Sequence, residues 1–236
     1  MQCDFSDQSR REKKIGGFLV LAICASFVLR YWNQYLSPMC GGDLFSMIAP
    51  SQGWLPYRDY YYQCPPGNIL LLGWLGQLFG PKMITAWAFH SVLNVIAALG
   101  LYHVLLRVSS PVGAVLGSIA AFVIGSCDLG DTPSWYFHQL AAFTTFALLA
   151  LLVAFQGVER LRSALWGIAT GLCLGWAFAV KQTMAPVVLA FLLVPVVIAL
   201  RQPMLRRWAT LLFVSTTFGL AMVLLYLALF IVIIPF

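Results

Sequence analysis

Apolar residues in this chain gather into long, nearly unbroken runs instead of the spaced patterns of a water-facing fold. Seven runs, roughly 15–31, 84–107, 110–127, 135–156, 163–180, 183–200 and 208–234, reach or approach the length of a transmembrane helix. Crossing the hydrocarbon core takes about 20 apolar residues, with a range near 17–25. An eighth run, Asn68 to Phe79, is too short to span and predicts a re-entrant or interfacial helix. The expected fold is therefore all-α: a polytopic membrane helix bundle of about seven transmembrane helices. We expect a single transmembrane domain over 1–236, whose first external loop, 32–82, carries juxtamembrane helices and amphipathic segments.

Composition supports lipid as the solvent. Of 236 residues, 61% are hydrophobic and 9% charged, with a mean hydropathy of +0.87. A soluble domain carries roughly 25% charged residues, so too few charges are present to coat a water-facing surface. The net charge of +6 does not point to nucleic acid, because the basic residues fall between the apolar runs, where topology accounts for them.

Charge placement then orients the spans. If 68–79 does not cross, one face holds Arg10, Arg11, Lys13, Lys14, Arg107, Arg160, Arg162, Arg201, Arg206 and Arg207, and the other only Arg30, Arg58, Lys82 and Lys181. Ten against four obeys the positive-inside rule; a crossing 68–79 gives six against eight and breaks it. The expectation is an integral protein of the cell inner or plasma membrane, with a cytoplasmic N-terminus and a working face on the non-cytoplasmic side. The basic N-terminal stretch resembles a signal peptide, but no small-residue cleavage site follows. Leu21-Ala22-Ile23-Cys24 approaches a lipoprotein signal, yet Ile23 is too bulky for it, so the run is read as an uncleaved first helix. Cys24 and Cys173 read as small apolar fillers within spans. Cys40, Cys64 and Cys127 face outward, with a Cys40–Cys64 disulfide open if that compartment is oxidising. The chain ends just after an apolar run, at Ile234-Pro235-Phe236, which reads as the N-terminal part of a larger design or a truncated copy.

The first external loop holds the most distinctive residues. Cys40-Gly41-Gly42-Asp43 follows the first span; Gly53-Trp54-Leu55-Pro56-Tyr57-Arg58-Asp59 and then Gln63-Cys64-Pro65-Pro66-Gly67 lead into the short helix. Gly41 and Gly42 permit close backbone approach, and the proline pair fixes an extended entry. An acidic residue soon after the first span, then G-x-x-P-Y-R-D, then P-P-G opening an apolar helix, resembles the GT-C glycosyltransferases. The branch it resembles is that of the dolichyl-phosphate-mannose–protein mannosyltransferases and the bacterial aminoarabinose transferases. Gly171-x-x-x-Gly175 ahead of Ala179-Val180-Lys181-Gln182-Thr183 is similar to the end of a later span in those enzymes.

The resemblance covers about residues 10–200. It implies transfer of a sugar from a polyprenyl-phosphate donor to an acceptor hydroxyl on the non-cytoplasmic face. In its terms Asp43 matches the first-loop acid, which acts as general base or helps hold a metal, and Asp59 the acid of P-Y-R-D. Two departures stand out: Gln63 and Cys64 replace the His, Lys or Glu common before the proline pair, and the family's C-terminal spans and soluble domain are absent. The expected partners are the polyprenyl-phosphate sugar donor and the lipid bilayer, with an additional subunit or a missing C-terminal region completing the protein.

Such chemistry needs a base, a counter-charge for the departing phosphate, and a sugar platform. Asp43 is the candidate base; Arg58 and Lys181, with Lys82 behind them, are candidate phosphate partners. Tyr57, Gln63, Gln182 and His138 join them as candidate substrate contacts, and Trp54, Tyr60, Tyr61, Tyr62 and Trp135 as stacking groups. Each has a plain structural alternative. Asp43 fits an N-cap for a helix beginning near Leu44, Arg58 a salt-bridge partner of Asp59, and the aromatics an interfacial belt. Asp128 and Asp131, with His138, are candidate ligands of a divalent metal ion, against a solvated loop with a helix cap before Pro133. His90 and Asn94, four apart on one helical face, read as polar glue between spans. The rival classes are a transporter or channel and a non-catalytic membrane module.

Overall fold

In lipid every backbone N–H and C=O must be satisfied within the chain, so long apolar runs fold as helices. The computed structural model describes residues 3–30, 41–56, 58–60, 66–126, 136–156, 159–202 and 205–233, and it is helical almost throughout. The helices are α1 (Cys3–Arg30), α2 (Gly41–Ser51), α3 (Gly67–Phe79), α4 (Met83–Leu105), α5 (Pro111–Ser126), α6 (Tyr136–Gln156), α7 (Arg160–Val180), α8 (Ala185–Arg201) and α9 (Arg206–Ile233). A 3-10 turn, Gln182–Met184, joins α7 to α8. Among the described residues there is no strand, only an isolated bridge between Pro56 and Tyr60.

Among the described residues, four stretches are long and apolar enough to cross a membrane: Ile84–Leu105, Arg160–Val180, Gln182–Arg201 and Arg206–Leu229. These mark a membrane protein. Gly67–Phe79, Pro111–Ile124 and Gln139–Phe155 are shorter apolar helices, and α1 joins a charged first half to its apolar run. At 13 residues α3 is about 20 Å long by its rise per residue, against a core about 30 Å thick. Large apolar side chains such as Phe18, Leu116, Ile124, Leu189 and Phe218 are exposed, as expected where lipid is the neighbour.

The chain divides into two compact units, Met1–Cys40 with Trp87–Thr145 and Gly41–Ala86 with Phe146–Phe236. In the first, α1 packs along α5, and Val20, Cys24, Ala98, Tyr102, Ala114 and Phe122 form the core. Tyr102 is fully buried and donates its hydroxyl to the Lys13 carbonyl at 2.7 Å. That bond sets the basic start of α1 level with the end of α4. His90, Asn94 and Gln139 are buried in this unit, as is Ser118, which donates to the Ala114 carbonyl at 2.7 Å.

The second unit is organised by α7 and α9. Lipid supplies little drive to bring apolar helices together, so close approach between small residues becomes the main attraction. Ser163, Gly167, Gly171 and Gly175 lie one turn apart along α7. A Cβ at Gly175 would meet Val223 Cβ at 2.8 Å, and one at Gly171 would meet the Leu220 amide at 2.7 Å and the Thr216 carbonyl closer still. From the other side, a Cβ at Gly219 would press on the Ile168 carbonyl. Gly167 faces Ser215 and Gly175 faces Val223 at the same offset, so the two helices run parallel. The intervening α8 returns the chain, with Pro195 inside it. Ala147, Leu174 and Val188 fill a small core between α6, α7 and α8.

Candidate functional site

The first-loop motifs fall in the second unit. Helix α2 begins at Gly41, so Asp43 lies within its first turn. The expected N-cap role for Asp43 is corrected: the glycine pair starts the helix three residues earlier than Leu44 suggests. Helices α2 and α3 pack antiparallel through glycines. A Cβ at Gly73 would lie 2.8 Å from the Pro50 ring, and one at Gly76 would lie 2.9 Å from the Met47 carbonyl.

Between them the chain turns at Gly53, whose φ of 78° is the left-handed conformation that favours glycine. The turn is closed by Arg58 and Asp59. Arg58 Nη2 reaches Asp59 Oδ2 at 2.6 Å and Nε reaches Oδ1 at 2.9 Å, while Nη2 also donates to the Gly53 carbonyl at 3.2 Å. Asp59 Oδ2 in turn accepts from the Leu55 amide at 2.8 Å. About a third of each side chain is exposed, at 33% and 31%. The guanidinium, and after it the Leu55 N–H, hold the Asp59 carboxyl below its ordinary value, and the carboxylate raises Arg58 above its own. The salt-bridge alternative for Arg58 is thus the one the structure displays. Phe45 packs edge-on against Tyr60, centroids 4.9 Å apart, and tilted against Trp54 at 6.5 Å. These two loop aromatics therefore lie against α2.

The proline-glycine entry meets the end of α7. A Cβ at Gly67 would lie 2.6 Å from the Ala179 carbonyl carbon and oxygen and 2.9 Å from the Val180 amide. Leu70 then packs with Trp176, Ala179, Val223 and Leu227. Lys181 follows Val180 directly in an extended conformation, φ −152° and ψ 117°, as the C-cap of α7, its N–H donating to the Ala177 carbonyl at 3.0 Å. A cation there also suits the negative end of the helix dipole. Gln182 opens the 3-10 turn and is exposed. The motif that opens α3 and the motif that closes α7 are therefore in contact, although more than a hundred residues separate them in the chain.

Sequence reasoning missed a cluster nearby. Trp74 of α3, Trp176 of α7 and Tyr226 of α9 meet, with centroids 5.8 Å apart for Trp74–Trp176 and 6.5 Å for Trp74–Tyr226. Trp74 and Tyr226 remain 43% and 40% exposed, so an aromatic surface opens about one helical turn from Lys181. No periodicity announces it, because three helices apolar on every side give no sign of which faces converge.

Tyr57, Gln63, Asp128 and Asp131 lie outside the described residues, as do Tyr61, Tyr62, Trp135, Cys40, Cys64 and Cys127. For Asp43 and His138 only the helical backbone is described. Among the described residues no group of three or more His, Cys, Asp or Glu is placed to hold a metal ion. No family model, curated protein or solved structure matches the chain. The glycosyltransferase likeness accordingly rests on the motifs themselves.

Proposed function

We propose that this chain is a GT-C-like membrane glycosyltransferase module, which transfers a sugar from a polyprenyl-phosphate donor to an acceptor hydroxyl on the non-cytoplasmic face. The observation that carries the reading is the contact of Gly67 with Ala179 and Val180. It joins the first-loop motif to Lys181, which a pocket built from separate connecting segments requires. On this reading the membrane is crossed seven times, the N-terminus is cytoplasmic, and α3 does not span. Asp43 is the base toward the acceptor, a role worth about 10²–10⁴-fold where it operates. Lys181 supplies positive charge to the departing phosphate. Arg58, engaged with Asp59, shapes the loop that carries Tyr57 and Gln63. The Trp74–Trp176–Tyr226 surface offers ring faces to a sugar or to the isoprenoid chain.

The test is reconstitution with a panel of polyprenyl-phosphate sugars, comparing wild type with Asp43→Asn and Lys181→Ala. Donor consumption is expected in wild type alone, and equal turnover in all three removes both residues from the chemistry. A second reading, a transporter, draws on His90, buried within the span Ile84–Leu105, where an ionisable group is costly and tends to be functional. Solute flux into liposomes without sugar transfer favours that reading.

A further inference from the structure

The parallel register of α7 and α9 has a consequence at their first turns. The same register, followed back from Gly167–Ser215, puts Arg160 and Arg162 at the same end of the helix pair as Arg206 and Arg207. Arg201, the last residue of α8, reaches the same end through the short connection before α9. All five side chains are exposed. From Arg160 to Phe236 the sequence holds no acidic residue, and Glu159 is the only carboxylate immediately before it. Among the described residues, none of the five makes an ion pair.

Electrostatically this end has one carboxylate, Glu159 at the N-cap of α7, against five arginines. Each of two parallel helices adds roughly half a positive charge at its N-terminus, and neither has an acidic residue in its first turn. Arginines there raise the charge that a helix start ordinarily offsets with Asp or Glu. All five cations are arginine, whose planar fork grips phosphate at two points where lysine offers a single charge. Trp166, 39% exposed, and Trp208, half-buried, follow within about a turn of the arginines. Amphipathic rings at that place mark headgroup depth.

We propose that this arginine end of the second unit is a docking surface for anionic phospholipid headgroups, with lipid phosphate held between the first turns of α7 and α9. It is independent of the transfer reading and holds whatever the opposite face does.

The test uses the purified full chain in mixed vesicles of phosphatidylcholine and phosphatidylglycerol, followed by mild extraction and native mass spectrometry of retained lipid. Wild type should retain phosphatidylglycerol over phosphatidylcholine. Affinity should fall about fivefold for each arginine removed in R160Q/R162Q and R206Q/R207Q, and stay unchanged in R107Q, which alters an exposed arginine of the first unit. Lysine replacements should keep part of the preference. Retention should also drop as sodium chloride rises, an arm that needs no variant and decides the matter if the glutamine variants do not fold. Inorganic phosphate, at matched ionic strength, should displace phosphatidylglycerol no better than chloride. The proposal is overturned by equal retention of the two lipids in wild type, by salt-insensitive retention, by folded glutamine variants that hold phosphatidylglycerol as wild type does, or by phosphate competing far better than chloride.

Discussion

Gly67 abuts the backbone of Ala179 so closely that a methyl group at residue 67 would lie 2.6 Å from the Ala179 carbonyl carbon and oxygen. Both partners are backbone, and neither can rotate aside. The third residue of the Pro65-Pro66-Gly67 entry is therefore fixed by packing against α7, beyond any preference of the turn itself. Gly67→Ala should cost about 1–3 kcal/mol, the usual penalty of forcing extra volume into a packed site. Thermal unfolding in detergent, followed by the loss of monodisperse protein, measures it. Unaltered stability would mean that α3 is not docked on α7 as described.

The α7–α9 seam makes a second, graded prediction. Gly171 opposes backbone on α9, whereas Gly175 opposes the side chain of Val223. Backbone cannot move without shifting the whole helix, so Gly171→Ala should destabilise more than Gly175→Ala. The former is placed at about 2–3 kcal/mol and the latter at about 1–2. Val223→Ala should rescue part of the Gly175→Ala loss, because it removes the methyl carbons at 3.0 and 3.3 Å while the Cβ at 2.8 Å stays. A double-mutant cycle reads the coupling, and strictly additive losses would show that the two residues do not touch.

Much of this architecture was legible in the chain, and the exceptions have physical causes. The apolar runs near 84–107, 110–127, 135–156 and 163–180 became α4 to α7 with ends displaced by a few residues, since Pro111 and the charged turns fix those ends directly. The helix α1 starts at Cys3, well before its apolar run, because Arg, Glu and Lys are good helix formers outside lipid. The short apolar run from Asn68 to Phe79 lies within a helix, α3, of 13 residues. Gly171-x-x-x-Gly175 announced close packing, but its partner Gly219 on α9 could not be inferred, since register between helices is set by contacts that leave no local trace. Arg58 with Asp59 was visible as one of two alternatives. What decided it was Asp59 reaching back to the Leu55 amide, a turn geometry that adjacency does not reveal. The Trp74–Trp176–Tyr226 surface was invisible for the same reason as Gly219.

The Arg58–Asp59 turn should respond to acid with a defined sign. Asp59 titrates below its ordinary value in the folded loop, chiefly because of Arg58 and then because of the Leu55 N–H. A depressed carboxyl contributes stability above its unfolded pKa, about 3.9, and loses it as pH falls through the lower folded value. Hydrogen exchange at the Leu55 and Asp59 amides, corrected for intrinsic rates, should show steady protection down to about pH 5 and loss below about pH 4. Asp59→Asn should lack the protection at neutral pH as well, because the amide no longer neutralises the guanidinium. Protection in wild type that survives full protonation of Asp59, or that survives in Asp59→Asn, would place the order of this turn elsewhere, in the Phe45–Trp54–Tyr60 packing.

The two ends of α8 separate the predicted topology from its rivals. Gln182, in the 3-10 turn before α8, and Gln202, just after its last residue, are both exposed and lie at opposite ends of an apolar stretch long enough to span. On the proposed topology, which sets ten basic residues inside against four outside, Gln202 lies on the cytoplasmic side and Gln182 outside. In a background with the native cysteines replaced, Gln182→Cys should label with a membrane-impermeant thiol reagent from the outside of sealed cells. Gln202→Cys should label only after the membrane is opened. Neither change disturbs an apolar face, so folding is expected to be retained within about 0.5 kcal/mol. Lys181 shares the side of Gln182, so the reversed pattern would put it in the cytoplasm and remove the outer-face transfer chemistry. It would also turn the arginine end outward, while leaving the packing of α3, α7 and α9 as it is.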